Sequence, residues 1–183
     1  MNALRRTVLV VALMNLGWFG VEFLAALRAG SVSLMADSAD FLEDAAINLL
    51  IFAAVGWSVA RRARVGMGLA AIMLVPGLAF LWTLYGKYLD PVAPPGWTLT
   101  LVGLGALAVN LSAALLLAQY RSESGSLTRA AYLSARNDAL ANIGIIAAGA
   151  LTAAHPSLWP DLVVGLAIAA MNADAAHEVW EAA

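Results

Sequence analysis

Apolar residues run in long blocks along the chain, and short polar or proline-containing stretches separate these blocks. A helix needs about 20 mostly apolar residues to cross the hydrocarbon core of a bilayer. Six blocks reach this length, and we expect each of them to form a membrane-spanning helix. Their predicted bounds are 7–27, 33–59, 65–86, 97–119, 127–153 and 160–180.

The connections between the blocks carry residues that typically end or begin helices. Gly30 follows the first block as a stop signal, and Ser31 or Ser33 can cap the second helix. Pro76 lies inside the third block, where proline is expected to bend the helix. Because the connections are short, we predict a single transmembrane domain over residues 1–183, with no cytosolic domain after the sixth helix.

The composition agrees with an all-α integral membrane protein. The chain is 62% hydrophobic and only 12% charged, whereas soluble domains carry roughly 25% charged residues. Its apolar blocks are continuous rather than alternating, which favours a bundle of six transmembrane helices over a β-barrel. The absence of cysteine excludes disulfides and thiolate metal ligands, and the net charge of −2 gives no indication of nucleic-acid binding.

Positive residues near the ends of the blocks predict the orientation of the bundle, because Lys and Arg are enriched on the cytoplasmic side. Only Arg28 and Lys87 fall on one predicted side. The other side carries seven arginines: Arg5, Arg6, Arg61, Arg62, Arg64, Arg121 and Arg129. We therefore expect both termini in the cytoplasm and the protein in a bacterial inner (plasma) membrane.

The second block carries acidic residues that an ordinary spanning helix does not contain. Four polar residues spaced three or four apart share one helix face, namely Asp37, Asp40, Asp44 and Asn48. Glu43 lies off this face. Ionisable side chains at bilayer depth are costly, and they usually face the interior of a bundle or a water-filled path. This acidic face is therefore a candidate functional site.

The fifth block repeats the pattern, with Ser134, Asp138 and Asn142 at intervals of four residues. Arg136 and Asn137 are expected to point elsewhere, although Asn137, Asn142 or water could supply a ligand where Ser134 does not. At about 1.5 Å of rise per residue, the acids of the second and fifth blocks reach the same depth in a core of about 30 Å. We therefore predict that the two polar faces meet in the middle of the membrane.

Three carboxylates and one hydroxyl would form an oxygen-rich cation site there, made by Asp40, Asp44, Ser134 and Asp138. Carboxylate oxygens suit hard or borderline divalent ions. Without a metal ion, like charges at this range cannot all stay ionised, so protons are expected to replace the metal. The residues thus predict exchange of a divalent cation against protons.

Several segments resemble the cation diffusion facilitator family over nearly the whole chain. The similarity is carried by the six spans and by Asn15, Glu22, the segment Gly30–Asp37, Asn110 and the Trp-Pro-Asp-Leu segment that contains Asp161. In that family, [HD]-x3-D on span two and H-x3-D on span five provide the metal ligands. The resemblance implies that Asp40, Asp44 and Asp138 are ligands, with Ser134 where His is usual.

The resemblance implies a divalent metal transporter rather than an enzyme, working in efflux by metal/proton antiport. It also implies a homodimer, which here would form through the membrane helices. Because Ser134 leaves the site without nitrogen, we expect Mn²⁺, Fe²⁺ or Co²⁺ to be favoured, with Zn²⁺ still a candidate. Neither the family's His-rich loop nor its C-terminal cytosolic domain is recognisable in the sequence.

Five further polar residues are assigned either to the surroundings of the site or to the ion pathway: Asn15, Glu22, Asp37, Asn48 and Asn142. Hydrogen bonding between helices is the alternative role for Asn15, Glu22, Asn48 and Asn142. Asp37 lies nearer the outer mouth, where it either attracts ions or lines a water-filled vestibule. Two other functions stay open. One is a non-transporting metal-binding or sensor protein. The other is an intramembrane metal-dependent enzyme, although the acidic run lacks the Gly- and Arg-bearing motif that such enzymes use for nucleotides.

Overall fold

The chain forms six α-helices in the computed structural model, which describes residues 3–54, 58–120 and 126–181. The helices are α1 (Ala3–Ala29), α2 (Val32–Ala54), α3 (Val59–Leu89), α4 (Gly96–Ala118), α5 (Ser126–Ala154) and α6 (Trp159–Glu181). Each predicted block corresponds to one helix. The predicted end of the second block at residue 59 is wrong, because Val59 begins α3. The predicted break at residues 121–125, which includes Arg121, lies outside the described residues.

Within the described parts of the chain, three helical segments are long and apolar enough to cross a membrane by length and composition. These are α1, α4 and Ala131–Ala154 of α5, and Trp159–Asn172 of α6 is a shorter apolar segment. The structure therefore confirms an all-helical membrane domain. Six helices are present in the described residues, and three of them meet the length and composition expected of a spanning helix.

The connection between α1 and α2 has the form that the sequence predicts. Gly30 adopts a φ of 59°, a left-handed conformation that glycine accepts without steric cost. Ser31 then caps α2, because its hydroxyl oxygen accepts a hydrogen bond of 3.2 Å from the Leu34 backbone N–H. Two residues are therefore enough to reverse the chain between the helices.

The first turn of α2 is held against α6 by the carboxylate of Asp161, which is buried. Asp161 accepts hydrogen bonds from the hydroxyls of Ser31 and Ser33, each at 2.6 Å. It also accepts from the backbone N–H groups of Val32 and Ser33, at 2.9 and 3.1 Å. A Cβ added to Gly165 would lie 2.7 Å from the Ser33 nitrogen, so the two backbones pack closely here.

Helices α4 and α5 approach each other at two glycines. A Cβ on Gly149 would lie 2.5 Å from the Thr100 hydroxyl oxygen, and one on Gly96 would lie 2.4 Å from the Ala153 nitrogen. Two apolar clusters complete the packing. One includes Leu34, Met35, Leu99, Ile145 and Ile168. The other includes Val8, Val11, Leu117, Ala131 and Ala135. The acids of α2 lie between the levels of the two clusters along the helix.

Candidate metal site

The acidic faces of α2 and α5 meet at Ser134. Its hydroxyl oxygen lies 2.9 Å from Asp44 Oδ1 and 3.4 Å from Asp138 Oδ2. Asp44 is only 3% exposed. The predicted meeting of the two faces is therefore confirmed at the contact between Ser134 and Asp44, and its position in the middle of the membrane stays a prediction.

Asp40 has a different neighbour from Asp44. Its Oδ1 accepts a short hydrogen bond from Asn172 Nδ2 of α6, a residue that the sequence analysis did not select. Asn172 lies on the same face of α6 as the buried residues Asp161, Gly165 and Ile168, and it is this burial, seen only in the structure, that marks the face. The site thus involves a third helix, α6, besides α2 and α5.

A cavity of about 130 Å³ lies among these side chains. Eight residues line it: Asp40, Glu43, Asp44, Ser134, Asn137, Asp138, Met171 and Asn172. The expectation that Asn137 points elsewhere is therefore wrong. Its Oδ1 accepts a hydrogen bond of 3.3 Å from Arg136 Nη2, so that arginine bonds to an amide beside the cavity. All four predicted metal ligands line this cavity.

Two asparagines hold Asp44 from other directions. Asn15 of α1 donates to Asp44 Oδ2 at 3.4 Å. Asn48 donates to the backbone carbonyl of Asp44 at 2.9 Å, a bond within α2 rather than between helices. Because ligating carboxylates are commonly oriented by such neighbouring donors, these contacts suit a residue whose position matters for binding.

Asp37 belongs to a separate group of polar residues one turn away from the cavity. Its Oδ2 accepts a hydrogen bond of 2.7 Å from Asn142 Nδ2, and Asn142 Oδ1 accepts one of 2.9 Å from Asn110 Nδ2. These three residues are fully or almost fully buried. Asn142 thus makes, with Asn110 of α4, the hydrogen bond between helices that was the predicted alternative to a role for Asn142 in the ion pathway.

No three acidic or histidine side chains are arranged so that they could hold a metal ion together, as far as the described residues go. The physical reason is visible in the contacts. Asp40 is bonded to Asn172, and the Ser134 hydroxyl lies between Asp44 and Asp138. The cavity therefore gathers the oxygen atoms that a cation needs, without gathering three carboxylates around one point.

Burial along α2 differs between its two ends. Residues 31–38 are all buried, whereas Glu43 is exposed and residues 49–53 are partly exposed. The beginning of α2 is therefore the more buried end of this helix.

The cavity is lined by carboxylates, a hydroxyl and amides, and it lies within a domain of apolar helices. Such an arrangement is typical of membrane proteins that transport cations. The family profile of the cation efflux transmembrane domain matches residues 8–182. The chain therefore belongs to the cation efflux family, whose members are metal cation transporters rather than enzymes. The comparison with curated proteins finds no significant match.

Proposed function

We propose that this transporter exports a divalent metal cation and takes up protons in exchange, with the cavity beside Asp44 as the binding site. The observation that carries the proposal is the position of the Ser134 hydroxyl between Asp44 and Asp138. Two helices contribute oxygen atoms to one place there, so a small relative movement of α2 and α5 changes the coordination of a bound ion.

Ion binding in this proposal draws Asp40 away from Asn172. The carboxylates of Asp40, Asp44 and Asp138 and the hydroxyl of Ser134 then provide four oxygen ligands. The amide oxygen of Asn172 lines the same cavity and is a further candidate ligand. A donor set of oxygen alone favours Mn²⁺, Fe²⁺ or Co²⁺, and it is less suited to Zn²⁺, which commonly takes nitrogen ligands.

Proton exchange follows from the chemistry of the same ligands. A carboxylate must be deprotonated to bind a metal ion, so binding releases protons. When the ion leaves, unpaired carboxylates in a membrane interior are costly, and proton uptake neutralises them. With both termini in the cytoplasm, the less buried end of α2 faces the cytoplasm. This arrangement supports loading from inside and release outside.

Metal flux in proteoliposomes tests the proposal. The purified full chain is reconstituted with a metal-sensitive dye and a pH-sensitive dye, and Mn²⁺, Fe²⁺, Co²⁺ and Zn²⁺ are offered in turn. We expect metal flux coupled to opposite proton flux, and loss of both in Asp44→Asn. Asp90→Asn is the matched control, because Asp90 is an exposed carboxylate between α3 and α4, and it should keep the flux. Undiminished flux in Asp44→Asn would refute the proposal.

The absence of three converging acids among the described residues also favours a second candidate, a protein that binds metal without transporting it. The same vesicles separate the two functions, because that protein would bind Mn²⁺ and give no flux in its native form. Assembly as a homodimer through the membrane helices stays a prediction, and cross-linking in the native membrane tests it.

A further inference from the structure

Glu22 of α1 is a fully buried acid outside the cavity. It is 0% exposed, and neither of its carboxylate oxygens has a hydrogen-bond partner in the described parts of the chain. Its carboxyl group lies within electrostatic range of Asp37, which is also 0% exposed and has one oxygen, Oδ1, without a partner. Three free acceptor oxygens from two helices therefore come together in the interior.

The other oxygen of Asp37 is fixed in place. Asn142 donates to Oδ2 at 2.7 Å, and Asn110 donates to Asn142 at 2.9 Å. This chain of amides from α4 and α5 orients the Asp37 carboxylate and leaves Oδ1 free. Carboxylates that bind metal ions are commonly oriented by a second partner in this way.

The charges near Glu22 are of one sign. The charged groups that act on it are Asp37 and Asp40, and both are acids. Its other polar neighbour is the neutral indole of Trp18, and the carboxyl groups of Glu22 and Asp37 lie close enough to interact directly. Two carboxylates in a membrane interior cost several kcal/mol unless a cation or protons neutralise them. The carboxyl groups of Glu22 and Asp37 therefore need either protons or a metal cation to neutralise them, as the acids of the cavity do.

The pair lies next to the cavity on the way to the predicted outer face. Asp37 precedes Asp40 by three residues, which is about 4.5 Å along a helix. Asn142 follows Asp138 by one turn of α5. On both helices, therefore, the residues around Asp37 lie on the same side of the cavity.

We propose that Glu22 and Asp37 form a second binding site for the divalent cation, which holds the ion between the cavity and the outer face. Both oxygens of Glu22 and Oδ1 of Asp37 are its ligands, and water completes the coordination. This inference rests on the proposed function, because the ion reaches the second site through the cavity.

Counting bound Mn²⁺ tests the second site. The full chain in lipid nanodiscs is brought to saturation by equilibrium dialysis, and bound Mn²⁺ is measured per chain. We expect two ions for the native protein, one for Glu22→Gln, one for Asp44→Asn and none for the double variant. Glu22→Gln keeps the size of the side chain and removes only its charge. We also expect Glu22→Gln to slow Mn²⁺ flux by about tenfold.

Controls separate this proposal from loss of folding. Asp90→Asn should keep two ions, and Asp37→Asn should match Glu22→Gln, since a variant that still holds the cavity ion is folded. Three results would overturn the second site. They are one bound ion in the native protein, two bound ions in Glu22→Gln, and no bound ion in either Glu22→Gln or Asp37→Asn. A native count of one together with flux that depends on Asp44 would leave the proposed function standing. Flux independent of Asp44 would instead refute the proposed function.

Discussion

Ser134 of α5 and Asp44 of α2 are 90 residues apart in the sequence, and their oxygen atoms lie 2.9 Å apart. A hydroxyl has one proton to donate, and the shorter of its two carboxylate contacts is the one to Asp44, since Asp138 is 3.4 Å away. Ser134 therefore bonds the two acid-bearing helices to each other at the level of the cavity. In the proposed site, the chemistry of position 134 would control both this contact and the donor set offered to an ion.

Replacing Ser134 by histidine should change the metal preference. The imidazole places a nitrogen at the edge of the cavity. Zn²⁺ has a stronger preference for nitrogen ligands than Mn²⁺ has. We expect the ratio of Zn²⁺ to Mn²⁺ flux in proteoliposomes to rise by about tenfold or more, which corresponds to about 1.4 kcal/mol.

Ser134→Ala is the matched control for that change, because it removes the hydroxyl without adding nitrogen. It should lower flux for every metal without raising the relative flux of Zn²⁺. If Ser134→His and Ser134→Ala give the same metal preference, position 134 does not contribute a ligand.

Acid should weaken Mn²⁺ binding. Protons and the metal ion compete for the same carboxylate oxygens, so lowering the pH favours the metal-free form. Where each bound ion displaces at least one proton, the apparent Kd rises by about tenfold for each unit of pH. Equilibrium dialysis at pH 7.5 and 5.5 measures this effect, and equal Kd values would show that binding is not linked to protons.

Removing the Asp161 carboxylate should destabilise the fold. Asp161→Ala leaves two hydroxyls and two backbone N–H groups of the segment 31–33 without their acceptor. At about 0.6 kcal/mol for each polar contact within a membrane protein, we expect a loss of about 2 kcal/mol. Unfolding by SDS in mixed micelles measures it. Asp90→Ala, at an exposed position, should stay within about 0.5 kcal/mol of the native protein.

Filling the contact between α4 and α5 should also destabilise the protein. The Cβ of Gly149→Ala would lie 2.5 Å from the Thr100 hydroxyl oxygen, 2.6 Å from the Thr100 nitrogen and 2.8 Å from the Gly96 carbonyl oxygen. Because two of these are backbone atoms, the helices must move apart, at a cost of about 1–3 kcal/mol.

Gly17→Ala provides the comparison for Gly149→Ala. A Cβ at Gly17 meets no atom within 4 Å, and alanine is the better helix former by up to about 1 kcal/mol. The two substitutions should therefore shift the free energy of unfolding in opposite directions. Equal shifts would indicate that close packing of α4 on α5 does not limit stability.

The sequence predicts the helices well because their signals are local. The apolar block lengths, Gly30 and Ser31 depend on residues close together in the chain, and the structure places α1, α2 and the turn between them accordingly. The meeting of Ser134 with Asp44 was also predictable, because spacing and depth along a helix follow from its fixed rise.

Contacts that depend on which helices are neighbours were not predictable in the same way. Asn172 reaches Asp40 only because α6 packs beside α2, and nothing in the spacing of either helix specifies that arrangement. The prediction that Asn137 points away from the site was wrong because it considered only one face of α5. The cavity lies among three helices, so side chains from a larger part of the α5 circumference line it.

The two-residue turn at Gly30 has a consequence for how the protein enters the bilayer. On the scale of translocon insertion, one Asp at the centre of a spanning helix costs about 2.5–3.5 kcal/mol, and α2 carries four acids. Such a helix does not partition into lipid by itself. Because Gly30 and Ser31 join it directly to α1, we expect it to enter together with α1 as one arm of a helical hairpin. The apolar residues of both arms would then offset the cost of bringing the acids of α2 into the membrane.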